Sequence, residues 1–103
     1  MPRFMFAYHG GGMPETEEAQ QAAMQAWGAW IESNAAAMPD PGAPVGLSKT
    51  VSGTGVEDHG GANPISGYAF VEADSIEAAA EIAKGCPIIQ DGGTVEIAPI
   101  MEM

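Results

Sequence analysis

A chain of 103 residues makes one domain (1–103), short enough to bury about two-thirds of its unfolded surface, and its apolar content of 46% is enough for a core. Asp and Glu total 14 against Arg3, Lys49 and Lys84, so the net charge is −11; this repels phosphate backbones and anionic lipid, and disfavours nucleic acid and membrane as partners. No apolar stretch approaches the ~20 residues of a membrane span, the first eight residues are too short for a signal-peptide core, and the lone Cys86 precludes an internal disulfide, which together point to the cytoplasm.

In chain order, residues 3–9 read as a strand with alternating faces Phe4/Phe6/Tyr8 and Met5/Ala7/His9, stopped by Gly10-Gly11-Gly12. Pro14 precedes a helix predicted over 16–36, with Thr16 as N-cap and Glu15, Glu17 and Glu18 at its positive end. Its buried stripe reads as Ala23, Met24, Trp27, Ile31 and Ala35, and Gly28 is expected to let the backbone approach the sheet. Residues 38–46 hold Pro39, Pro41, Gly42 and Pro44, a stiff irregular connection. A modest strand comes next over 47–52, then a glycine-rich loop over 53–64.

The strand predicted over 66–73 is apolar on both faces, Tyr68 and Phe70 on one and Gly67, Ala69 and Val71 on the other, unlike a half-exposed strand. Asp74 with Glu77 reads as a capping box for a helix over 75–84, with Gly85 as its stop and Pro87 barring continuation. A last strand over 94–98 ends at Pro99, which suits an edge. The order β-α-β-β-α-β is the ferredoxin-like α+β plan, an antiparallel four-stranded sheet with two helices. Two helices cover one sheet face. The second apolar face then predicts a homodimer packed sheet to sheet about a two-fold axis.

Several of these segments resemble the YCII-related (DGPF-domain) proteins. They are Phe6-Ala7-Tyr8-His9-Gly10-Gly11, Trp27-Gly28-Ala29-Trp30, Gly67-Tyr68 followed by Val71-Glu72-Ala73-Asp74-Ser75, Gly85-Cys86-Pro87, and Val95-Glu96-Ile97 with Met101-Glu102. The resemblance spans nearly the whole chain and implies a dimeric α+β barrel. It is informative about fold rather than activity. Relatives are thought to use a helix histidine and a following aspartate as an acid–base pair. By helix phase the first position is Met24 here, and Asp40 falls in the region of the second, so the resemblance implies no intact pair.

His9 is the leading catalytic candidate, a strand-end imidazole beside glycines that admit a ligand, able to transfer protons at neutral pH, with Asp40 as its orienting group. The bland alternative is a histidine bonded to a backbone carbonyl. A pocket between the first helix and the sheet is expected to be lined by His9, Trp27, Asp40, Lys49 and Tyr68, with Met24 beside them, and to take a small-molecule ligand. His9-Gly10-Gly11-Gly12 matches a hydrolase oxyanion loop, but no Gly-x-Ser-x-Gly elbow accompanies it. Gly42, Gly46 and Lys49 lack phosphate-loop spacing. Glu57, Asp58 and His59 are too few and too flexible to define a metal site, Cys86 reads as a structural thiol, and no cofactor is assigned. The reading is a small-molecule binding protein; the alternative is a proton-transfer or isomerase-type enzyme using His9 with Asp40.

Overall fold

The computed structural model describes residues 1–11 and 15–101; Gly12, Pro14 and Glu102 lie outside them. The elements are β1 (Arg3–His9), α1 (Glu17–Ser33), a 3₁₀ turn (Ala35–Ala37), β2 (Asp40–Pro44), β3 (Thr50–Ser52), β4 (Gly55–Glu57), β5 (Ile65–Glu72), α2 (Ile76–Ala83), α3 (Pro87–Gln90) and β6 (Thr94–Pro99). The fold is α+β, with a four-stranded antiparallel sheet in the order β2-β5-β1-β6 and a separate ribbon of β3 and β4.

β1 lies inside the sheet, bonded on both sides, and its alternation divides the two faces. Phe4, Phe6 and Tyr8 stand opposite Val71, Ala69 and Gly67 of β5 and Pro99, Ile97 and Val95 of β6. That face is covered by the helices: Phe4, Phe6, Tyr8, Ala69 and Val71 form the core with Trp30, Met38, Ala79, Ala83, Cys86 and Ile88. On the opposite face Met5 and Ala7 meet Phe70 and Tyr68 on one side and Ala98 and Glu96 on the other.

α1 begins where expected. The Thr16 hydroxyl accepts from the Ala19 N–H at 3.1 Å, satisfying one free donor of the first turn. Its buried stripe differs. Met24 is 75% exposed and Ala35 is exposed, while Trp30 is buried. The inward positions are Ala23, Trp27, Trp30, Ile31 and Asn34, so the indoles set the helix rotation and Met24 falls one residue outside the stripe. The Trp30 Nε1–H donates to the Ile82 carbonyl at 3.0 Å, tying α1 to α2. The α-helix ends at Ser33, so Ala35 lies in the 3₁₀ turn. Gly28 is exposed with open space around it, so close packing does not explain it.

The second strand of the sheet is not 47–52 but β2, within the segment expected to be irregular. An edge strand bonds on one side only, so Pro41 and Pro44 are tolerated there. Gly42, with φ 70°, makes the bulge; a Cβ there would lie 1.8 Å from the Tyr68 carbonyl oxygen. Part of the predicted strand and part of the predicted loop pair with each other instead, as β3 and β4. Ser75, rather than Asp74, caps α2, accepting from the Ala78 N–H at 3.1 Å. α2 ends at Ala83, before Gly85 and Pro87 as expected, and Pro87 then opens α3, where its missing N–H costs nothing. Among the described residues no helix is long and apolar enough to cross a membrane.

Phe6 is fully buried whereas Met24 is not. Phe6→Ala is therefore expected to cost about 3–5 kcal/mol and Met24→Ala less than about 0.5 kcal/mol, read from urea unfolding followed by circular dichroism.

Candidate functional site

His9 closes β1 on the open face, where the β1–β5 register shifts between Tyr8 and His9. Gly10 and Gly11, at φ 75° and 79°, then turn the chain away along a path that side chains rarely adopt. The imidazole is held from two sides. Its Nδ1 lies 3.0 Å from the Asn63 carbonyl oxygen and 3.3 Å from that of Pro64. Its Nε2 lies 3.0 Å from Glu96 Oε1 on β6. Carbonyl oxygens only accept, so Nδ1–H donates, and the Nε2 contact is a hydrogen bond only with a proton between nitrogen and carboxylate. The pair is thus a two-point proton site, with a mostly buried imidazole and an exposed carboxylate.

Asp40 does not reach it. Asp40 stands opposite Phe70, which stands opposite Met5. It is therefore two strands across and four residues along from His9, about 16 Å by strand spacing. Asp40 Oδ1 instead accepts from the Gly42 N–H at 3.0 Å, holding the bulge. The expected orienting group is replaced by Glu96. Glu96 lies between Val95 and Ile97, so strand alternation puts its side chain on the open face with His9 once β6 pairs with β1.

The other predicted site residues are dispersed. Tyr68 is on the open face, edge to face with Phe70 at 5.8 Å. Lys49 binds Asp58 at 2.6 Å at the base of the ribbon, both exposed. Met24 points to solvent. Trp27 is on the helix side of the sheet, edge to face with Tyr8 at 5.3 Å and with Trp30 at 5.8 Å.

Trp27 also lines a cleft of about 640 Å³. Ile88 and Ser66 share that lining, as do the segments 44–48 and 58–61 that lead into and out of the ribbon. His9, Asp40, Lys49, Tyr68 and Met24 are not among its described lining residues. The Ser66 Oγ is buried and has no hydrogen-bond partner among the described residues, as is the Tyr8 hydroxyl behind Trp27. Ser66 gave no sequence signal, because a serine at a strand start is ordinary. Among the described residues no cluster of three or more His, Cys, Asp or Glu could hold a metal.

Burial raises the Tyr8 phenol above its ordinary range, and the nearby Cys86 adds to the effect. Burial also pushes the Cys86 thiol up to about 11, against a hydrogen bond from the Ile88 backbone that lowers it. A nucleophilic cysteine needs the opposite shift.

An antiparallel sheet with helices on one face and the His9–Glu96 contact on the other defines a small α+β protein. Residues 4–103 match the YCII-related domain, and the chain belongs to that family. No curated protein and no solved structure matches it.

The Cys86 thiol is expected to resist iodoacetamide at pH 8 in the native protein and to react once urea unfolds it. Its native value lies above the ordinary 9.0, so the unfolded chain loses that proton first. Stability is therefore full below about pH 9 and falls as pH rises through about 11, with Tyr8 acting in the same direction. Urea midpoints at pH 8 and pH 11 measure it.

Proposed function

We propose that the protein binds a small molecule in the cleft beside Trp27, as a homodimer with the ferredoxin-like, dimeric-barrel arrangement of its family, in the cytoplasm. The observation that carries the binding reading is the cleft itself, walled by Trp27, Ile65 and Ile88 and also lined by Ser48, Asp58 and Asp91. An apolar wall with a few polar groups is how small-molecule sites hold and orient a ligand. Asp58 and Asp91 are acidic and the chain carries −11, so an anion is disfavoured. The ligand class is a neutral or cationic, mainly apolar molecule of modest size.

A second reading rests on a different observation, the 3.0 Å contact between His9 and Glu96 on the open face. In a proton-transfer or isomerase-type enzyme His9 would be the acid–base. Glu96 would hold it, in the role the sequence had given to Asp40.

N-phenyl-1-naphthylamine, a neutral aromatic dye, tests the first reading. Saturable binding is expected, weakened about 10-fold by Trp27→Leu, from loss of the aromatic packing contact, and unchanged by Met24→Ala. Binding that ignores Trp27→Leu would refute the cleft. Binding lost in His9→Gln instead would favour the open face.

A further inference from the structure

The ribbon of β3 and β4 has an apolar face that is largely solvent-exposed among the described residues. Val51 stands opposite Val56, while Thr50 and Glu57 and then Ser52 and Gly55 pair on its other face. Val51 is 75% exposed and Val56 61%, and all six ribbon residues are exposed. Its polar side and base are bonded: Thr50 Oγ1–H donates to the His59 carbonyl at 2.7 Å, and Lys49 meets Asp58 at 2.6 Å. Leu47, at the foot of the ribbon, is fully exposed. A lone two-stranded ribbon is marginal in water and needs a surface to lie on. The chain is also extended for its length. Its radius of gyration is 14.8 Å, where a compact chain of this size has about 13 Å.

We infer that this ribbon is an exchanged arm, whose Val51 and Val56 pack on a second copy of the chain when the open sheet faces meet. The inference rests on the proposed dimer and adds the element that completes it. Area is the first argument. Four strands about 4.8 Å apart and about six residues long give the open face a footprint of roughly 400 Å², about half of the ~800 Å² per partner of a stable interface. The arm's face adds roughly 100 Å² by the same spacings, and the surface it covers on the other copy as much again.

Charge is the second argument. Two chains of −11 repel over most of their surfaces. The open face carries Met5, Ala7, Tyr68, Phe70 and Ala98, and two of its carboxylates are matched by a cationic or proton-bearing neighbour, Glu72 by Arg3 and Glu96 by His9, while Asp40 lies beside Phe70 on the β2 edge. The arm's Val51 and Val56 bring no charge. These are the surfaces on which two copies meet with the fewest opposed carboxylates. A single two-fold operation covers both the sheet and the arm, because each copy supplies the same pair of surfaces. The segments 44–48 and 58–61 that carry the arm also wall the cleft, so docking the arm fixes one side of it.

Sedimentation velocity at 10 µM tests this with three chains. The wild type is expected to be a dimer. Val51→Asp with Val56→Asp is expected to raise the dimer Kd at least 100-fold while leaving the circular dichroism unchanged, since both side chains are solvent-exposed in the single chain. Phe70→Asp reports on the sheet face alone. A monomeric wild type overturns the dimer and the arm together. A wild-type dimer that Phe70→Asp breaks and the double arm variant leaves intact overturns only the arm. If the double variant is misfolded, Val51→Ser with Val56→Ser replaces it, and an unchanged Kd there also overturns the arm.

Discussion

Everything else in the structure hangs on the pairing of β1 with β5. Phe6 against Ala69 and Ala7 against Tyr68 are successive rungs of one ladder, and strand side chains alternate strictly. A slip of one residue would turn Phe4, Phe6 and Tyr8 away from the helices and bring Met5, Ala7 and His9 in. The small residues Gly67 and Ala69 on β5 make room for the aromatic residues of β1, so the register is set by volume as well as by polarity.

That register separates the two candidate centres. The hydroxyl of Tyr8 is driven into the core beneath Trp27, where burial suppresses its ionisation. One residue later His9 emerges on the open face, meets Glu96 from β6 and is fixed by the Asn63 carbonyl. Both groups are placed by neighbouring positions on one strand, yet they face opposite sides: the cleft beside the helices and the bare sheet behind it. The net charge of −11 disfavours anions at both.

The middle of the chain shows how a bulge redirects an element. Gly42 lets β2 lie against the Tyr68 carbonyl at a distance no side chain permits, and the two prolines end its usefulness as a strand after Pro44. Beyond Pro44 the chain has β-forming residues that do not join the four-stranded sheet. It closes on itself as β3 and β4, with Val51 and Val56 together on one face.

The outline was legible in the sequence wherever local chemistry decides structure. The alternation 3–9, the Thr16 cap and the apolar run of β5 were readable because period, capping hydroxyls and polarity act within a few residues. So was the sharing of one sheet face by both helices, since two helices cover no more than one. The identity of the second strand was not legible: 40–44 looks like a turn until β5 offers it carbonyls and amides to bond. Nor was Glu96 as the partner of His9, because 87 residues separate them and only the β1–β6 register brings them together. The same holds for Met24, whose exposure depends on how two indoles rotate α1 against α2. Sequence by itself determined which residues are apolar, where the helices are capped and that both sheet faces carry apolar residues; the tertiary structure alone decided which strands pair and which charges meet, because those depend on long-range register that no local pattern encodes.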